Sequence, residues 1–194
     1  MALEKLVKKV NKYSTRLGQA YAVILAFQAT ADMASLSINE LMPKDGQTIV
    51  FTSGNDEVIP LPYAVTARII DFFMYAPITL RQNLHGNKVK WVSNATKREV
   101  LDGLSDPKYQ NVAFIGHGTS FSFWAADGPV YPEDVLDLPK KSGELIQHTC
   151  GSGSPELRDA LLIDPQKGYW FDEPISVGKN YATAWKQAII SFYK

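Results

Sequence analysis

Asn111-Val-Ala-Phe-Ile-Gly-His-Gly118 and Glu144-Leu-Ile-Gln-His-Thr-Cys-Gly-Ser-Gly153 are the two stretches on which the fold turns. The first begins as a short apolar run without polar-apolar alternation, the pattern of a strand whose two faces are both covered, and the second reads as another central strand. Each ends in a reactive side chain followed by glycine: His117-Gly118 in the first, Cys150-Gly151 in the second. Upstream, Thr48–Thr52 and Lys88–Val92 read as further strands, and Lys167–Phe171 downstream as a last one. Helices are expected between them. One runs from Pro62 to Tyr75, stopped by Pro77. A second opens at Thr96-Lys-Arg-Glu99, which has the spacing of a capping box, with Asn94 as an alternative cap. A third starts at Pro155, with Ser154 as its cap. A C-terminal amphipathic helix carries Tyr181, Ala184, Trp185, Ala188, Ile189 and Phe192. Phe121–Trp124 and Val130-Tyr131, joined through Asp127-Gly128, suggest a small hairpin, with a short helix at Pro132–Leu136. Strands separated by helices of this length make an α/β domain with a mostly parallel sheet flanked by helices. Phe51, Val92, Phe114 and Ile146 are expected in or beside its core.

At 194 residues the chain has room for one such domain, placed at 43–194, and an N-terminal helical extension at 1–42. Lys plus Arg and Asp plus Glu both number 20, so no global field draws the protein to nucleic acid. The single cysteine excludes an internal disulfide and fits a reducing compartment, the cytoplasm. In the extension, Leu3, Leu6, Val7, Val10 and Leu17 recur at helical spacing, opposite a basic face of Lys5, Lys8, Lys9, Lys12 and Arg16. This stripe is expected to pack on a partner surface, either this domain or another chain. The apolar run that follows, Ala20–Phe27, is shorter than the roughly 20 residues of a membrane span. Gln19, Gln28 and Asp32 bracket it closely. No membrane span is therefore expected.

Sites in open parallel sheets form at the carboxyl ends of the strands. If the two quoted strands are neighbours, His117 and Cys150 face each other over one edge. An imidazole beside a thiol is the arrangement for nucleophilic acyl transfer. The N–H groups of Gly118 and Cys150 are candidate oxyanion donors. Of the other histidines, His85 reads as an ordinary surface or core hydrogen-bonding residue. His148 remains open as a core histidine, a wall of the site or a rival to His117.

These motifs resemble the clan CD cysteine peptidases, which include caspases, metacaspases, legumain, gingipains, clostripain, separase and the CHAT-domain proteins. That family shares an apolar strand ending in His-Gly and a later strand ending in Cys, often followed by a small or Gly/Ser-rich stretch. Val112-Ala-Phe-Ile-Gly-His-Gly118 and Leu145-Ile-Gln-His-Thr-Cys-Gly-Ser-Gly153 look like that pair, in that order. Their separation, 150 − 117 = 33 residues, suits one hairpin and one helix. The resemblance covers Thr48 to Phe171 in element order, and its residue-level match is confined to the two motifs. It implies a caspase-hemoglobinase-like α/β fold and a cysteine endopeptidase acting on protein or peptide substrates. Cys150 would be the nucleophile, His117 the general acid/base and Gly118 an oxyanion donor. Many relatives carry Ala where this chain has Thr149. Loops near the catalytic strand often build the specificity pocket in this family, which makes Trp170 and Asp172 candidates for substrate binding. Asp127 and Glu173 are weaker ones.

Three other readings stand beside it. A caspase-like fold can serve as a catalytically inert binding or regulatory module. The loop Gly151-Ser-Gly-Ser154 ahead of a helix could hold an anion, although no Walker Lys follows. Zinc on His117, His148 and Cys150 has suitable ligand chemistry but lacks paired Cys spacing, so no metal or cofactor is expected. No G-x-S-x-G elbow occurs.

Overall fold

A computed structural model describes residues 2–43, 45–53, 63–119, 121–149, 155–169 and 177–193. The elements in chain order are α1 (Ala2–Leu41), β1 (Gln47–Thr52), α2 (Tyr63–Leu84), β2 (Lys88–Val92), α3 (Lys97–Ser105) and β3 (Tyr109–Gly116). Next come β4 (Gly118–Thr119), β5 (Ser122–Ala125), β6 (Gly128–Val130), β7 (Leu145–Thr149), α4 (Pro155–Leu161), β8 (Gly168–Tyr169) and α5 (Val177–Ser191). A 3-10 turn at Pro132–Asp134 occupies part of the short helix expected there.

Five strands form one sheet in the order β2-β1-β3-β7-β8, and every pairing in it is parallel. β4, β5 and β6 make a separate antiparallel sheet, one strand more than the expected hairpin. Strand parity divides the core. Ile49, Phe51, Val112, Phe114 and Leu145 turn to one face, where they meet Val100 and Leu104 of α3 and Leu157 and Leu161 of α4. Val50, Ala113, Ile115 and Ile146 turn to the other, against Met74 and Ile78 of α2 and Ala184 of α5. Two-sided burial of this kind puts apolar residues at consecutive strand positions, as in Val112–Ile115, while β7 also buries the polar Gln147, His148 and Thr149. Phe51, Phe114 and Ile146 are fully buried, and Val92 packs half-buried at the edge of the core. Phe114 stacks between Phe51 and Phe123 at 5.8 and 4.7 Å. Each such ring contributes about 2 to 3 kcal/mol by leaving water.

The capping box forms as expected, with Thr96 as N-cap of α3 accepting from the Glu99 N–H and Glu99 accepting from the Thr96 N–H. Asn94 does not cap; it sits in a left-handed turn after β2, at φ 51°. Two other expectations need correction. α2 does not stop at Pro77 but runs through it to Leu84. The buried side chains of Ala76, Ile78, Thr79 and Gln82 hold the segment against its neighbours, and a carboxylate from α1 accepts from the Ala76 N–H. Tertiary burial here outweighs the helix-breaking tendency of proline. In α5, Ala184 and Ala188 are buried as expected, whereas Ile189 and Phe192 are exposed.

The described part of α1 docks largely through polar residues, joined by the Phe27 ring against Trp185 of α5 at 5.3 Å between centroids. Gln28, Ser35 and Asn39 are buried. The Tyr181 hydroxyl donates to Gln28, and Gln28 and the Ala76 N–H both donate to Asp32. Asn39 clasps the backbone of Val89, accepting from its N–H at 2.7 Å and donating to its carbonyl at 2.8 Å. That amide occupies part of the open edge of β2 as another strand would. The side chains of Leu3, Leu6, Val10 and Leu17 lie outside the described residues.

Candidate active site

β3 is the middle strand of the five, so its carboxyl end opens at the centre of the sheet edge. Gly116 ends it at φ 130°, a conformation open to glycine and costly for other residues. A Cβ at Gly116 would lie 2.3 Å from the Ser53 carbonyl oxygen. The chain therefore turns off β3 where it nearly touches the residue after β1. Gly116→Ala is expected to destabilise the fold by at least about 2 kcal/mol, because strain and a backbone clash act together. Urea denaturation compared with wild type measures it.

His117 comes next, clamped through its backbone on both sides. Its N–H donates to Ser53 Oγ at 3.3 Å, and its carbonyl accepts from the Trp124 N–H at 3.1 Å. The half-buried imidazole meets the Trp124 ring edge-on, with centroids 5.0 Å apart and planes at 78°. Gly118 is buried and faces Phe123 across β4 and β5. Because the neighbouring pair His117 and Trp124 makes the ladder hydrogen bond, Gly118 occupies the non-hydrogen-bonded position. Its N–H thus points away from β5. A Cβ at Gly118 would come 3.1 Å from Thr149 Cβ, so glycine lets the His-Gly turn press against the end of β7.

β3 and β7 are paired neighbours, with Ile115 opposite His148 and Gly116 opposite Thr149. In the sequence His117 follows Gly116 and Cys150 follows Thr149. Cys150, Gly151, Trp170, Asp172 and Glu173 lie outside the described residues. Asp127 is away from this edge in function: it accepts from the Lys97 N–H and so caps the start of α3. His85 is exposed, the surface setting of the two left open for it.

His148 lies inside the sheet with no exposed surface, its Nδ1 3.0 Å from Asn180 Oδ1. Burial pushes its pKa down to about 4, against the opposing pull of the Asn180 hydrogen bond, and the Arg81 charge lowers it further. The ring is neutral at pH 7. With Asn180 Oδ1 as acceptor, Nδ1 carries the proton.

The sequence pattern pointed to neither Ser53, Trp124 nor Asn180. Ser53 lies just past a predicted strand, Thr48–Thr52, as His117 lies just past its own, and is the recoverable miss. Asn180 is 32 residues from His148, with no local signal connecting them. No protein-family model matches this chain, and no curated protein matches its sequence.

Proposed function

We propose that this chain is a caspase-like cysteine endopeptidase using Cys150 and His117. The observation that carries the reading is the parallel pairing of β3 with β7, Gly116 opposite Thr149, since the two candidate residues each follow one member of that pair. Further support comes from the order of elements between the motifs, a small antiparallel sheet and a 3-10 turn, and from the orientation of the Gly118 N–H.

In the proposed reaction the Cys150 thiol passes its proton to His117, and the thiolate attacks the carbonyl carbon of the scissile peptide bond. The carbonyl π pair moves to oxygen, where the N–H groups of Gly118 and Cys150 stabilise the charge. As the tetrahedral intermediate collapses, the C–N bond breaks and His117 protonates the departing amine. A thioester remains on Cys150. His117 then takes a proton from water, hydroxide adds to the thioester, and the acid leaves as the thiol is restored. Trp170 and Asp172 are proposed to contribute to the substrate pocket, and a cytoplasmic location is proposed because a lone thiol fits a reducing compartment.

A peptide acyloxymethyl ketone tests the reading directly. Mass spectrometry should find one adduct on Cys150, lost in His117→Ala because the thiolate is no longer generated. An intact protein that takes up no label and cleaves no peptide library would instead be a binding module on the same fold.

A further inference from the structure

α1 is a single helix from Ala2 to Leu41, and its described docking contacts lie in the second half, from Phe27 onward. The hydrogen bonds from Ala76 to Asp32 and from Asn83 to Asn39 both join residues 44 apart, so α1 and α2 run side by side in the same direction. That offset levels the first residue of α2, Tyr63, with Gln19, since 63 − 44 = 19. Residues 2–18 therefore project about 25 Å beyond the start of α2, on the side of the molecule where the strands end.

The ten residues Gly18–Phe27 are all exposed and carry no charge. Tyr21, Val23, Ile24, Leu25 and Phe27 show between 44% and 68% of their surface to solvent. Consecutive helical residues are 100° apart, so Val23, Ile24 and Leu25 spread apolar surface well beyond the one stripe that a partner helix would cover. The segment before it bears Lys5, Lys8, Lys9, Lys12 and Arg16 against Glu4, a net charge of 5 − 1 = +4. The other two acids of α1 are already engaged, Asp32 by Gln28 and Ala76 and Glu40 by Lys88 at 3.4 Å.

We propose that residues 2–27 bind the surface of an anionic phospholipid bilayer, lying in its plane. A basic helical segment joined to an apolar one matches headgroup phosphates beside acyl chains. A second copy paired in parallel would set two such basic segments against each other. Gly18–Leu41 is long and apolar enough to cross a membrane. Crossing would require Asp32 and Asn39 to leave their partners and enter hydrocarbon, which favours the in-plane arrangement. This proposal is independent of the peptidase chemistry.

Co-sedimentation of the full chain with vesicles of phosphatidylcholine alone, or with 30% phosphatidylglycerol, provides the test. Binding is expected on the anionic vesicles and to weaken with added salt. The triple variant Lys8→Gln, Lys12→Gln, Arg16→Gln should reduce partitioning by about a hundredfold. Val23→Ser with Leu25→Ser, which leaves the charge unchanged, should reduce it by at least about tenfold. Val23 and Leu25 are exposed, so circular dichroism and melting of the serine variant should match wild type. No binding to anionic vesicles, or unchanged binding in the serine variant, overturns the proposal. So does a lipid-free dimer that the serine variant dissociates, or bound protein that resists alkaline carbonate extraction as a spanning helix does.

Discussion

Cys150→Ala and His117→Ala are each expected to lower kcat/KM for peptide cleavage by about three orders of magnitude or more. The two losses should not add, since either substitution disables the same proton transfer and attack. His117→Ala should retain the fold, because the clamp on this residue is made by its backbone. The Ser53 and Trp124 hydrogen bonds go to the His117 N–H and carbonyl, and alanine keeps both. Among the described contacts it loses the edge-on one with Trp124, worth about 1 kcal/mol. Kinetics with the best substrate from a peptide library, alongside thermal melting, separate the two effects. Cleavage that survives Cys150→Ala would end the thiol mechanism. Full activity in His117→Ala with loss in His148→Ala would reverse the assignment of the histidines.

Much of this architecture could be read from residue patterns because two-sided burial leaves an uninterrupted apolar run. Val112–Ile115 and Leu145-Ile146 have that form, and they are adjacent in the sheet. The capping box at Thr96 was equally legible, since its hydrogen bonds span only three residues. Pro77 misled for the opposite reason. Its local preference is clear, but the segment is held by Asp32, 44 residues from Ala76. The docking of α1 was obscured by chemistry. The expected stripe of Leu3, Leu6, Val10 and Leu17 lies outside the described residues, and further along the helix Gln28, Asp32 and Asn39 make contacts that no sequence pattern marked, being polar residues that look solvent-facing in a sequence. The His-Gly turn was identified from its residues, but its supports were not. Ser53, Trp124 and Thr149 come from three other strand ends or hairpins and meet only through register.

The stability of the folded chain should fall as pH is lowered from about 6.5 toward 4, and His148 is the largest single cause expected. Its pKa is depressed from 6.5 to about 4 in the fold, so between those values the unfolded chain binds the extra proton. Stability then rises with pH, is fully present above about 6.5, and is lost as the ring is forced to charge inside the sheet. A depression of that size corresponds to something on the order of 3 kcal/mol. Asp32 works against it. Burial raises its carboxyl from 3.8 to about 6, so its contribution is present at low pH and lost as pH rises through 6. Solvent reaches Asp32 and not His148, which makes the opposing effect the smaller one. Asp32→Asn, which keeps an oxygen to accept from Gln28 and Ala76, should therefore steepen the loss of stability below pH 6.5. His148→Ala should flatten it, while costing about 1 to 3 kcal/mol at pH 7 through the cavity and the lost Asn180 bond. Urea denaturation of the three proteins at intervals from pH 4 to 8 measures these slopes. Equal slopes in wild type and His148→Ala would show that the ring accommodates its proton, and that the buried neutral histidine is not what makes this fold sensitive to acid.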